Sequence, residues 1–168
     1  MEQTQYEELL VERINKFLRD EISAATGYAL IASKLKGLAS EEIIEELQEH
    51  GKEEYEHYTE LVEFAGRYGL EVKLSLIDLD QRVLQYQPTD LKATVEFINS
   101  LEKEARSDYL EMTKIAEEQE DIQTMEFFKE LANDETKHFL DLQYVNGDTL
   151  KLGESIIKAI RNRNEDSK

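Results

Sequence analysis

The pattern Glu-x-x-His occurs twice in this chain, at Glu54 to His57 and again at Glu135 to His138. Both copies are embedded in apolar residues that recur every three or four positions, which is the period of a helix. A spacing of three puts both side chains of a pair on one helix face. Upstream of each pair a glutamate interrupts an apolar stripe: Glu21 lies 33 residues before Glu54, and Glu104 lies 31 residues before Glu135. Four carboxylates and two imidazoles are thereby directed at one core. An uncompensated carboxylate in a dry interior costs several kcal/mol, and four together are tolerable only around cations. The pattern therefore predicts four helices packed about two metal ions bridged by carboxylates, with Glu21, Glu54, His57, Glu104, Glu135 and His138 as ligands.

The helices can be placed from the same periodicity. Apolar residues from Leu10 to Leu35 define a first helix over residues 5 to 36, with Glu21 in mid-stripe and Gly37 as its stop. Ser40, followed by Glu41 and Glu42, reads as the N-cap and first turn of a second helix fading between Gly66 and Gly69. Residues 70 to 88 lose the period and end at Pro88, the only proline. A connection of that length lets the third helix start at the same end of the bundle as the second began, so the two run parallel. Thr89 is placed as the cap of the third helix, whose inner side carries Leu91, Val95, Phe97, Ile98, Leu101, Ala105, Met112 and Ile115. After a short break at 118 to 121 the fourth helix returns antiparallel. Its stripe runs from Met125 to Val145 and ends at Asn146-Gly147, residues suited to a left-handed cap. The expected fold is an all-α four-helix bundle over residues 1 to 147, with a long crossover between helices 2 and 3. Residues 148 to 168 form a short C-terminal helix, over Glu154 to Ile160, and a frayed tail.

Composition narrows the chemistry. A formal net charge of −18 opposes any surface that follows a phosphate backbone and favours cations as partners. The absence of cysteine excludes disulfides, thiolate metal sites and a cysteine-bound iron or zinc module. No signal-peptide pattern opens the chain and no apolar run approaches the ~20 residues that span a bilayer. A cytoplasmic protein without nucleic-acid or membrane partners is expected. Oxygen-rich ligation with one histidine per ion suits iron or manganese better than zinc.

Three further groups stand out. His50, one turn before Glu54, is either an accessory ligand or a hydrogen-bonded core histidine. Tyr28, seven residues after Glu21, and Tyr109, five after Glu104, are core aromatics or partners of the ligands. Asp108 and Glu111, one and two turns beyond Glu104, form either an inward path for cations or a solvated seam.

The order Glu21, Glu54-x-x-His57, Glu104, Glu135-x-x-His138 over residues 5 to 146 resembles the di-iron pattern of the ferritin-like superfamily, as in bacterioferritins and rubrerythrins. The segments Glu-Ala-Arg-Ser-Asp-Tyr-Leu-Glu-Met and Phe-Phe-Lys-Glu-Leu-Ala-Asn-Asp-Glu-Thr-Lys-His-Phe look most like rubrerythrin, and Tyr28 and Tyr109 match its tyrosine spacing. The resemblance implies two iron ions and oxidation of Fe(II) by O2 or H2O2 for storage and detoxification. It also implies a homo-oligomer, a dimer or larger. The alternatives are a rubrerythrin-like peroxidase in oxidative-stress defence and a non-catalytic helical interaction protein. Two departures bear on the peroxidase. Rubrerythrins carry an extra glutamate three residues before the third-helix ligand, where this chain has Leu101, and they append a cysteine-bound module. Bacterioferritins bind haem through a methionine after the second-helix glutamate; here that residue is Tyr55, so no haem is expected.

Overall fold

The computed structural model describes residues 2–37, 39–73 and 78–165, and the side chains of the last helix as far as Tyr144. Five helices follow one another: α1 (Gln3–Lys34), α2 (Glu41–Tyr68), α3 (Gln81–Leu84), α4 (Leu91–Glu118) and α5 (Ile122–Glu165). Among the described residues there is no strand, only an isolated bridge between Lys36 and Ala39. The four long helices make the bundle, and the one-turn α3 sits in the crossover.

Each long helix buries a stripe whose steps alternate between three and four residues. On α1 the buried positions include Leu10, Ile14, Phe17, Glu21, Tyr28 and Ile31, with Leu35 just past its end; on α2 they include Ile43, Leu47, His50, Glu54, His57, Leu61 and Phe64. On α4 the stripe is Val95, Ile98, Glu102, Tyr109, Met112 and Ala116, and on α5 Thr124, Phe128, Leu131, Glu135, His138 and Leu142. This 3.5-residue spacing is the knobs-into-holes pattern of nearly aligned helices. The carboxylate and imidazole members of all four stripes fall at one level. An aromatic-rich cluster of Phe17, Phe64, Tyr109, Met112 and Phe128 closes the bundle on one side of that level. Tyr28, Ile31, Leu47, Ile98 and Leu142 close it on the other. Each such side chain contributes about 1.5 to 3 kcal/mol on burial, so the apolar ends hold the polar middle together.

Contacts give the helix directions. Tyr28 meets Glu102 and Arg13 meets Glu111, so α4 runs antiparallel to α1. The crossover accordingly leaves α2 and α4 parallel, as its length predicts. It is fastened to α1 at several points. The Asp80 N–H donates to Ser23 Oγ at 2.9 Å, and Lys34 Nζ donates to the Tyr86 carbonyl at 2.9 Å. Val83 packs on Gly27 so closely that a Cβ there would lie 1.9 Å from Val83 Cγ1.

Three local expectations change. Asp90, not Thr89, caps α4: its Oδ1 accepts from the Ala93 N–H at 2.8 Å, leaving the threonine one residue outside. Ser40 does precede α2, but its side chain makes no capping bond. The last helix does not stop at Asn146-Gly147 and no separate C-terminal helix follows, because α5 continues to Glu165 and takes in the segment 154 to 160. These two residues permit a left-handed turn without requiring one. A glycine inside a helix costs ~1 kcal/mol, which continued backbone hydrogen bonding on both sides can outweigh. The short extra helix of the fold is α3. The side chain of Val145 and the last residues of the tail, 166 to 168, lie outside the described residues. No helix among the described residues is long and apolar enough to cross a membrane.

Candidate metal centre

At the polar level five of the six expected ligands come together: Glu21 from α1, Glu54 and His57 from α2, and Glu135 and His138 from α5, all buried. The sixth does not. Glu104 points away from the core, with its side chain 51% exposed, and pairs with Arg82 Nη1 at 3.1 Å. Its place is taken by Glu102, whose side chain is 1% exposed. At 100° per residue, two positions along a helix turn a side chain by about 200°, so the two glutamates face opposite ways. The sequence held the signal. Counted from Glu102, the α4/α5 half has a 33-residue spacing to Glu135 and a tyrosine seven residues on, the same intervals that Glu21 has to Glu54 and Tyr28. The position three residues before the inner glutamate is then Asn99 rather than Leu101.

Both histidines turn Nδ1 inward. His57 Nδ1 lies 3.6 Å from Glu21 Oε2, 3.2 Å from Glu54 Oε2 and 3.4 Å from Glu135 Oε1. His138 Nδ1 lies 3.2 Å from Glu54 Oε1, 3.4 Å from Glu102 Oε2 and 3.7 Å from Glu135 Oε2. Glu54 and Glu135 thus each offer one oxygen to either histidine. Two overlapping donor sets result, Glu21-Glu54-His57-Glu135 and Glu54-Glu102-Glu135-His138, each with its ligand atoms within 4.8 Å of one another.

The outer atoms are held in a matching way. His138 Nε2 lies 2.6 Å from Glu53 Oε2 and His57 Nε2 3.8 Å from Asp134 Oδ2. A carboxylate on the outer nitrogen orients an imidazole and raises its basicity as a ligand. The tyrosines cross over between halves: Tyr28 Oη donates to Glu102 Oε1 at 2.5 Å, and Tyr109 Oη donates to Glu21 Oε1. Burial, then the charge of these glutamates, pushes both phenols well above their usual range and keeps them donors.

These residues fit a pair of divalent cations. Glu102 Oε2, Glu135 Oε1 and His138 Nδ1 are buried without a hydrogen-bond partner; Glu102 Oε2 faces His138 Nδ1, and Glu135 Oε1 faces His57 Nδ1. One ring proton cannot satisfy the three oxygens around His57 Nδ1, whereas a cation between them can. Protonation shows the same imbalance. Burial, with the neighbouring Glu54 charge, pushes the Glu21 carboxyl up to about 8 and Glu135 well above the carboxylate range. Glu54 goes the other way. Burial would raise it, but hydrogen bonds from His138, His57 and Glu21 hold it well below the usual value. Both imidazoles are held above theirs despite burial, by the surrounding carboxylates. Without metal, protons compensate the charge that two cations would cancel.

A cavity leads inward from the α1, α4 and crossover face. Asp20, Asp80, Arg82 and Glu104 line one part of it, and Glu21, Glu54, Glu102 and Glu135 another. Asp108 and Glu111 do not line it; they pair with Lys16 at 2.6 Å and Arg13 at 2.8 Å. His50 is buried beside the centre, its ring stacked on that of His138 with centroids 4.4 Å apart.

A family model described as the ferritin-like domain matches residues 11–151. No curated protein sequence matches the chain. Among solved structures it is similar to two variants of PmFTN soaked in iron. One, soaked overnight, aligns with a TM-score of 0.72 at 16% identity, covering 86% of this chain and 89% of that one. The other, soaked for 3 h, aligns with a TM-score of 0.71 at 16% identity, covering 84% and 89%.

Proposed function

Since the chain belongs to the ferritin-like domain family, we propose that it binds two Fe(II) ions at Glu21, Glu54, His57, Glu102, Glu135 and His138 and oxidises them with O2 or H2O2. One observation carries this reading: Glu54 and Glu135 each present one oxygen to each inward-facing histidine nitrogen, the arrangement that holds two ions side by side. Four carboxylates neutralise two ferrous ions. Oxidation adds two positive charges that the ligands do not balance, which favours hydrolysis and release of the ferric product. Two Fe(II) supply the two electrons that reduce O2 to H2O2, or H2O2 to water. The chain's own contribution is placement. Tyr28 and Tyr109 fix the terminal carboxylates Glu102 and Glu21, while Glu53 and Asp134 fix the imidazoles.

The donor set is rich in oxygen and suits iron, and manganese as a competitor, better than zinc. An acidic surface draws Fe(II) toward the cavity mouth. A ferrous substrate needs a reducing compartment, which accords with the cytoplasm. Exposed apolar side chains such as Tyr55, Ile122, Leu140 and Tyr144 accord with a homo-oligomer.

Anaerobic titration with Fe(II), followed by admission of O2 or H2O2, tests the reading. Oxo-bridged ferric absorbance should rise in proportion to iron, and vanish in E54A/E135A while the helical circular dichroism persists. Catalytic removal of peroxide without net iron uptake would favour the rubrerythrin-like peroxidase instead. Absence of any metal binding would leave a helical interaction protein.

A further inference from the structure

At the mouth of the cavity on the α1, α4 and crossover face, both cations are paired with carboxylates. Lys16 meets Asp20 at 2.6 Å, and Arg82 meets Asp80 at 2.6 Å and Glu104 at 3.1 Å. A second cavity, between α4 and α5, reaches the same Glu102 and Glu135 with the opposite arrangement of charge. It encloses about 210 Å³, room for several molecules of water size at about 30 Å³ each. Apart from those two glutamates, its charged residues are Lys103 and Arg106, three apart on one face of α4. Among the described residues neither makes an ion pair. α5 holds both through neutral contacts instead: Arg106 Nε donates to Thr136 Oγ1 at 2.8 Å, and Lys103 Nζ lies 4.6 Å from the centre of the Phe139 ring. Phe139 and Leu140 make the rest of the wall apolar. In a chain with 38 acidic and 20 basic residues, a mouth whose outer charges are all positive runs against the composition.

We propose that the α4/α5 cavity is the oxidant's entrance, passing small uncharged or anionic oxygen species of the O2, H2O2 or superoxide class, while Fe(II) enters by the acidic cavity. The inference rests on the two-ion reading of the centre. A cleft lined by one sign of charge concentrates ions of the other sign and repels its own. Fe(II) meets two unpaired positive charges at the α4/α5 mouth, whereas at the first mouth three carboxylates outnumber Lys16 and Arg82. O2 and H2O2 carry no charge, so Lys103 and Arg106 do not oppose them, and the apolar wall of Phe139 and Leu140 suits O2. An anion is drawn in by the same two side chains. Its inner end is the metal centre, so an anion should be held there only once the ions are bound. Sorting the reactants by charge keeps unbound Fe(II) out of the passage that the oxidant travels.

The test uses the full chain, Co(II) in place of Fe(II), and sodium azide as the anionic probe. Bound Co(II) is counted by equilibrium dialysis, and azide binding is followed by the visible spectrum of Co(II) at fixed ionic strength. In K103E/R106E the Co(II) count should match wild type while azide binds at least about tenfold more weakly, the lower end of what charge focusing in a cleft contributes. K103Q/R106Q should fall between the two. D20N/E104Q, which alters the charge of the first mouth, should leave azide affinity at the wild-type value. L140W, at the rim of the α4/α5 cavity, should slow the oxidation of preloaded Fe(II) by H2O2 several-fold with Co(II) uptake unchanged. Equal azide affinity in wild type and K103E/R106E, or an equally large change in D20N/E104Q, would overturn the entrance, as would an unaltered oxidation rate in L140W. If wild type took up no Co(II), the six-ligand centre itself would fall, and the entrance with it.

Discussion

The ligand assignment on α4 can be decided by two substitutions two residues apart, E102Q and E104Q. Glu102 is buried, its Oε1 takes the Tyr28 hydroxyl at 2.5 Å, and its Oε2 faces His138 Nδ1 at 3.4 Å with no hydrogen-bond partner. Replacing it by glutamine preserves volume and the tyrosine bond but removes one full charge from one donor set. Loss of even a supporting group around a metal weakens binding by 10- to 100-fold, so a first ligand should cost at least about 100-fold for one of the two ions. An ion present at about 100 times its Kd stabilises the fold by about 2.7 kcal/mol. For a domain of this size 1 kcal/mol corresponds to about 2 to 4 °C. The rise in Tm on adding metal should therefore shrink by about 5 to 11 °C in E102Q. The metal-free variant should melt close to metal-free wild type, because the amide keeps the Tyr28 bond and spares the fold one buried carboxylate. E104Q breaks only the Arg82 contact, with side chains 59% and 51% exposed, worth less than about 1 kcal/mol. Its metal-dependent Tm shift should match wild type. Scanning calorimetry with and without Co(II) reads both variants. A shift lost in E104Q and kept in E102Q would refute the placement of α4.

Other outcomes follow from the same geometry. Glu21 is pushed up to about 8 and Glu135 is raised too, so each binds a proton in the folded, metal-free protein that it would lose in the unfolded chain above the ordinary carboxylate range. Their contribution to metal-free stability is complete below about pH 4.5 and is lost as pH climbs through the folded values. Metal displaces those protons, so the Tm gain from Co(II) should widen between about pH 5 and 8; calorimetry at fixed free Co(II) checks this. E53Q should weaken metal binding by about 10- to 100-fold in a competition titration with a chelator while leaving the metal-free Tm nearly unchanged, since Glu53 acts by orienting His138. G27A would bring a methyl group against Val83 Cγ1 and displace the crossover; urea unfolding should show a loss of about 1 to 3 kcal/mol. Y28F and Y109F should each slow iron oxidation, measured by stopped-flow absorbance, with far-ultraviolet circular dichroism unchanged.

How much of this was legible in the sequence depended on what kind of rule each element obeys. Helix existence and the parallel crossover follow from apolar period and connection length, and both hold in the structure. Helix ends follow from weaker preferences. Thr89 and Asp90 are both acceptable caps, and the choice rests on which side chain reaches the Ala93 N–H. Asn146-Gly147 tolerates a turn that the chain does not take. Glu104 was the instructive case. In a chain with 38 acids a glutamate beside an apolar stripe is common, and only register separates an inward one from an outward one. Strict steps of three and four through Val95, Ile98, Glu102, Ala105, Tyr109 and Met112 leave no room for Glu104 on the inner face.

That register also exposes a relation between the halves of the bundle. Glu21, Tyr28 and Glu54 recur at the same intervals as Glu102, Tyr109 and Glu135, and the hydrogen bonds are exchanged: the tyrosine of each half holds the terminal glutamate of the other. Neither helix pair supplies the tyrosine bond to its own terminal glutamate. The α1/α2 hairpin would leave Glu21 without its phenol donor, and the α4/α5 hairpin would leave Glu102 without its own. On the proposed ligand set, a site built this way forms only when the hairpins dock, so metal affinity should report on docking, and bound metal should in turn stabilise the docked bundle. If either hairpin, expressed alone, bound Co(II) as tightly as the whole chain, the exchange would be incidental to the site.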